Sequence, residues 1–128
     1  MAEPASLALG TVKGNNLLVR IAIGQVREGS VAYSLRDEII ALVAQTKPAN
    51  IVIDLSQVNF VGSVGFLAFL GVKRNLGEGR VILCNLSQPI RDMFAVCRLI
   101  PTESSATAPF EIAATSEEAL AKLSTTPA

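Results

Sequence analysis

Apolar positions recur along this chain with two alternating periods, and each change of period marks an element boundary. Ser6 to Val12 alternates loosely, and Leu17 to Ile23 is a second β-rich run. Between them Lys13-Gly14-Asn15-Asn16 supplies turn residues, so the pair predicts a β-hairpin closed by Gly24. After Gly29-Ser30 the period changes. Val31, Leu35, Ile39 and Leu42/Val43 are spaced by four, four and three or four, which puts them on one helical face with Ser30 at the cap. That helix has to stop by Lys47, because the residue before Pro48 is driven out of the α region.

The run Ile51-Val52-Ile53-Asp54-Leu55 is too short for a helix and predicts a buried strand. A loop over 56–62 follows, and then a helix from Ser63 to Leu76 that opens with the apolar Phe66-Leu67-Ala68-Phe69-Leu70 and ends at Gly77-Glu78-Gly79. Gly71 in this helix suits close packing. Val81 to Cys84 is apolar throughout, as expected for a strand covered on both faces. Ser87 then caps a helix with Ile90, Phe94 and Cys97 on one stripe, Met93 beside them and Pro89 in its first turn. The polar stretch Pro101 to Pro109 predicts a flexible loop, Phe110 to Ala113 a short strand, and Thr115 to Glu118 a capping box before Ala119 to Leu123. Strands alternating with helices of ten to fifteen residues predict an α/β fold. The expectation is a single layered domain over 1–128, with a mixed, mostly parallel sheet of four to five strands and helices packed on it.

Composition narrows the function. A length of 128 residues, half of them hydrophobic, suffices for one core. No apolar run approaches the roughly 20 residues of a membrane span, and Met1 to Ser6 lack the basic start of a signal peptide, so the expected location is cytoplasmic. Eleven basic and eleven acidic residues cancel, and with one Tyr and no Trp no nucleic-acid partner is expected. Without His or a CxxC pattern, zinc sites of the usual kind are excluded, and Cys84 and Cys97 read as small buried hydrophobes.

The same inventory argues against catalysis. Gly65 stands two residues after Ser63, as in a hydrolase nucleophile elbow, but position 61 is Val and no His can act as base. The P-loop and Gly-x-Gly-x-x-Gly patterns are absent, so no cofactor is expected and the chain does not read as an enzyme. Asp37-Glu38 and Glu117-Glu118 read as solvated helix faces. Asp54 reads as a residue turned outward to bind backbone N–H groups of the loop that follows. Ser63 keeps two readings: a helix cap, or a hydroxyl whose phosphate would lie against free N–H groups at the positive end of the helix dipole.

Residues 51–65, Ile-Val-Ile-Asp-Leu-Ser-Gln-Val-Asn-Phe-Val-Gly-Ser-Val-Gly, resemble the signature of the STAS domain family (sulfate transporter and anti-sigma factor antagonist). Gly79 to Asn85, Ser87 to Phe94 and Ser116 to Leu120 are similar to that family's next strand, following helix and closing helix, so the resemblance runs over about 7–123. It implies a bacterial regulatory protein-binding module of a stress-response, partner-switching pathway. Such a module binds an anti-sigma factor that is also a serine-protein kinase, freeing a sigma factor for transcription. Phosphorylation at the head of the second helix breaks the complex. Carried over, the phosphorylation site is Ser63 and the partner-binding residues are Arg27, Glu28, Gly62, Ser63, Val64 and Gly65. Two positions depart from the family pattern: Gly62 replaces an acidic residue, and Arg27 replaces an Asp. Both remove negative charge, and Arg27 becomes a counter-charge for a phosphate if the two loops adjoin. The alternative is a non-phosphorylated scaffold or a ligand- or lipid-transport-associated binding subunit, favoured by Gly62 and the apolar helix 66–72. The oligomeric state is left open, a homodimer included.

Overall fold

The two leading β-rich runs do pair. In a computed structural model describing residues 6–102 and 107–124, β1 (Ala8–Lys13) and β2 (Asn16–Ile21) form an antiparallel hairpin, registered from Ala8 opposite Ile21 to Lys13 opposite Asn16. Gly14 takes φ +61° in the turn, a conformation that costs glycine nothing. A two-residue strand, β3 (Gln25–Val26), leads into α1 (Gly29–Thr46). Lys47 ends α1 in the left-handed region, its N–H donating to the carbonyl of Val43, and Pro48 keeps the chain from continuing. Then come β4 (Asn50–Asp54), a second two-residue strand β5 (Phe60–Val61), α2 (Ser63–Leu76), β6 (Val81–Cys84), α3 (Gln88–Val96), β7 (Glu111–Ala113) and α4 (Ser116–Ser124).

Five strands make one sheet in the order β1-β2-β4-β6-β7, antiparallel at β1/β2 and parallel elsewhere. Parallel strands covered on both sides are apolar throughout, and strand alternation divides their side chains between two layers. Leu17, Val19, Ile21, Ile51, Ile53, Val81 and Leu83 join the buried faces of α1, α2 and α3. Val52, Ile82 and Cys84 point the other way, against Ala119 and Leu123 of α4. The expected single α/β domain with a mostly parallel mixed sheet is therefore what the chain forms.

Two polar ties hold the layers. Arg80 clasps Glu111 through Nε to Oε2 (2.7 Å) and Nη2 to Oε1 (2.6 Å), with Lys122 Nζ at 3.7 Å, which fixes β7 and α4 to the start of β6. The hydrogen bonds from Arg80 hold the Glu111 carboxyl below its ordinary range. Glu38 is no solvated-face residue: its Oε1 accepts the N–H groups of Leu7 (2.9 Å) and Ala8 (3.2 Å), anchoring the first strand to α1.

Several local expectations need correction. Ser30 lies inside α1, whose N-cap is Glu28, and Ser87 occupies the N-cap of α3 without a side-chain bond. Thr115 Oγ1 does accept the N–H of Glu118 (3.1 Å), while Glu118 Oε2 reaches the N–H of Ala114 (3.2 Å). Cys84 is buried as expected, its thiol pushed up to about 12 mainly by desolvation. Cys97 is exposed just past the end of α3, where the helical stripe has run out. The 56–62 segment holds β5 and is not all loop. Residues 103–106 of the Pro101–Pro109 stretch, and the flexibility expected there, lie outside the described residues.

Candidate functional site

Ser63 is delivered by a short chain of constraints that begins at the end of β4. There Asp54 Oδ1 accepts the N–H of Ser56 (2.9 Å) and Nδ2 of Asn85 (3.1 Å), so the carboxylate shapes the turn as the sequence suggests. Leu55 and Val58 are buried and pin the loop from below. The chain then runs alongside β3. Asn59 N–H donates to the carbonyl of Gly24 (2.7 Å), β5 pairs with β3 in parallel (Gln25 opposite Phe60, Val26 opposite Val61), and Gly62 N–H donates to the carbonyl of Val26 (2.9 Å). A ladder two residues long thus sets the head of α2 beside the exit of β3.

From below, α2 is held by its aromatic residues. Phe66 packs edge-on to Phe94 of α3 (centroids 4.8 Å apart, planes at 86°), and Phe69 and Phe110 lie against the same ring at 6.1 and 6.2 Å. From the side it is held by a close approach at Gly65. A Cβ there would stand 2.8 Å from both Val26 O and Val61 Cγ1, so only glycine lets the first turn of α2 sit this close to the β3/β5 ladder.

Ser63 does not cap this helix. Gly62 is the N-cap, no side chain caps α2, and Ser63 is the first helical residue, exposed, its hydroxyl without a hydrogen-bond partner among the described residues. Phe66 N–H, bonding the carbonyl of Gly62 (3.1 Å), is the first amide with an intrahelical acceptor. The first turn carries no acidic residue, and Lys73 and Arg74 sit in the last turn. The amino-terminal partial positive charge is therefore unopposed by any side chain of α2 itself. Chemically, the site offers an accessible hydroxyl in a field that favours an anion on it.

The residues carried over from the sequence resemblance come together unevenly. Arg27, Glu28 and Ser63 are exposed on adjoining segments; a Cβ on Gly62 would lie 3.6 Å from the Cα of Arg27. Val64 is partly covered, and Gly65 is buried, so it offers shape to the fold and no surface to a partner. Sequence reasoning missed three neighbours. Phe60 (38% exposed) lies under the Arg27 guanidinium at 5.5 Å, Leu67 (59%) stands one turn beyond Ser63, and Tyr33 of α1 (43%) lies under Arg36 at 5.0 Å. In a run as apolar as 66–70 the sequence does not reveal which residue faces out. A helical wheel anchored on Phe66, Phe69 and Val72 would have found Leu67. No group of His, Cys, Asp and Glu able to hold a metal occurs among the described residues.

A family model described as the STAS domain matches residues 16–119. No curated protein sequence matches the chain. Among solved structures, the anti-sigma factor antagonist SpoIIAA in its unphosphorylated form aligns with TM-score 0.66 at 23% identity, over 93% of this chain and 99% of that one. The phosphorylated form of SpoIIAA, a Bacillus cell fate determinant, aligns with TM-score 0.64 at 24% identity, over 91% and 98%. An anti-sigma factor antagonist from Mycobacterium paratuberculosis aligns with TM-score 0.74 at 24% identity, over 91% and 92%.

Proposed function

This chain belongs to the STAS domain family, and on that premise we propose that it is a non-enzymatic anti-sigma factor antagonist, switched by phosphorylation of Ser63. Its unmodified form binds an anti-sigma factor that is also a serine-protein kinase, through the surface around the head of α2. The observation that carries this reading is the Ser63 hydroxyl itself, exposed and uncapped at the first position of α2. A cap serine would be tied to the backbone and costly to modify; this one is free to enter a kinase active site.

The physics of the switch follows from where the hydroxyl sits. A phosphate brings about −1.5 to −2 charges and three acceptor oxygens. At a helix N-terminus that charge stabilises the domain by roughly 0.3–1 kcal/mol, so the modified protein keeps its fold. Arg27, on the adjoining segment, supplies a further counter-charge. In the interface the same phosphate must be desolvated or meet the partner's own charges, and binding is lost without unfolding.

The test is direct. The protein is incubated with ATP and each candidate anti-sigma kinase from its own genome, phosphate is mapped by mass spectrometry, and affinity is measured by calorimetry. Phosphate on Ser63, none on Ser63→Ala, and an affinity for Ser63→Glu lower by about tenfold or more (~1.4 kcal/mol) are expected. Phosphate absent from Ser63, together with unchanged affinity of Ser63→Glu, would remove the switch. Capture of membrane-transport subunits in place of a kinase would assign the domain to a transport-associated scaffold.

A further inference from the structure

The charge around Ser63 says what kind of surface the partner presents. The two exposed aromatic residues, Phe60 and Tyr33 of α1, each lie beneath an arginine. The two arginines differ in their counter-ions. Arg36 donates Nε and Nη2 to Asp37 Oδ1 (3.0 and 2.9 Å), so its charge is met within α1. Arg27 forms no ion pair among the described residues, and its Nη1 donates only to the neutral Gln25 Oε1 (3.2 Å). Glu28, next in the chain, is exposed and points no carboxylate oxygen to within ion-pair distance of it. The helix beside it, α2, has no acidic residue from end to end.

The guanidinium of Arg27 is thus held in place by a ring and an amide, with N–H groups to spare. A stacked arginine keeps its planar fork available for a bidentate carboxylate. Leu67, one helical turn beyond Ser63 on α2, is more than half exposed. Gly71, one turn further on, meets the Cδ of Arg36 at a would-be Cβ distance of 2.9 Å, which puts Leu67 level with the α1 turn that carries Tyr33. An apolar centre rimmed by an unpaired cation is the anatomy of a protein-docking patch.

Building on the reading of Ser63 as a partner switch, we propose that this face docks an acidic protein surface, a carboxylate of the partner pairing with Arg27 while an apolar hollow receives Leu67. Arg27 is then the residue that selects the partner: a basic surface is turned away at the position where an acidic one is held.

The experiment uses the full chain and purified candidate anti-sigma factors, with affinity read by calorimetry at low and high salt. Arg27→Glu is expected to weaken binding about tenfold or more, and Arg27→Lys, which keeps the charge but loses the planar fork, by about threefold to tenfold, with the Arg27→Glu loss shrinking in high salt. Leu67→Ala, at an exposed helix position that tolerates alanine, is expected to weaken binding about tenfold with an unchanged melting temperature. A carboxylate-to-arginine change on the partner that restores binding to Arg27→Glu completes the case. Tighter or unchanged binding by Arg27→Glu overturns the proposal, as does absence of binding by every candidate. So does co-sedimentation with phosphatidylglycerol vesicles that Arg27→Glu abolishes, since that would give the cation to lipid. The two readings separate: an Arg27 effect with no phosphate on Ser63 sinks the switch alone, and phosphate on Ser63 with no Arg27 effect sinks the acidic partner alone.

Discussion

Replacing Gly65 by alanine tests how the head of α2 is held. The added methyl carbon would lie 2.8 Å from Val26 O, 2.8 Å from Val61 Cγ1 and 3.0 Å from Val26 Cγ1. Comfortable carbon contacts are about 3.5–4.0 Å, so it intrudes by about half an ångström or more on three atoms at once. None can move easily: Val26 and Val61 are fully buried, and Val26 O is held by the N–H of Gly62 at 2.9 Å. Overpacking of this kind costs about 1–3 kcal/mol, and alanine returns up to about 1 kcal/mol of helix propensity. With the full propensity gain returned, a net loss of up to about 2 kcal/mol remains. Gly71→Ala, in the same helix, is the control. Its methyl meets the Cδ of Arg36 at 2.9 Å, part of a flexible, partly exposed side chain that can swing aside, so propensity prevails and the change is neutral or stabilising by up to about 1 kcal/mol. Urea unfolding of the wild type and both variants at constant m reads the signs from the midpoints. A Gly65→Ala midpoint at or above wild type, or the same sign for both glycines, would refute the reasoning.

Other outcomes follow from the core and the polar ties. Phe94→Ala empties the centre of the aromatic cluster under Ser63 and is expected to cost about 3–5 kcal/mol, seen as a large fall in the thermal midpoint by circular dichroism. With a thiol reagent at pH 8, Cys97 reacts at once and Cys84 only on unfolding, because Cys97 is exposed while burial pushes the Cys84 thiol up to about 12. The depressed Glu111 carboxyl binds its proton less readily in the folded than in the unfolded chain. Its contribution is therefore present above the ordinary carboxylate pKa of about 4.3 and is lost as pH falls through the lower folded value. Acid titrations of the wild type and Glu111→Gln check this, the variant showing the shallower loss of stability over that window.

Long elements with a clear period were legible in the sequence. The 29–46 helix, the hairpin, the apolar strand at 81–84 and the 63–76 helix all lie where the spacing puts them, within a residue or two at their ends. Asp54 behaves as its position between strand and loop suggests. Short elements were not legible: β3 and β5 are two residues each, too short for any period, and exist because each supplies the other's hydrogen bonds. Cap assignments failed at Ser30 and Ser63 for a related reason. A serine near a helix start marks the start, but which residue becomes the cap depends on where the incoming strand releases the backbone, and here that falls on Glu28 and Gly62. The missed cap matters most at Ser63, since it leaves the hydroxyl uncommitted.

What the amino-acid order determined alone is the set of local elements and the two-sided apolar character of the central strands, because propensity and periodicity act over neighbouring residues. What only the tertiary structure decided is which surface those elements expose together. The β3/β5 ladder, the glycine contact at 65 and the Phe66–Phe94 packing are all encounters between distant parts of the chain. They bring Arg27 beside the helix face that Ser63 and Leu67 share, a juxtaposition that no local pattern encodes.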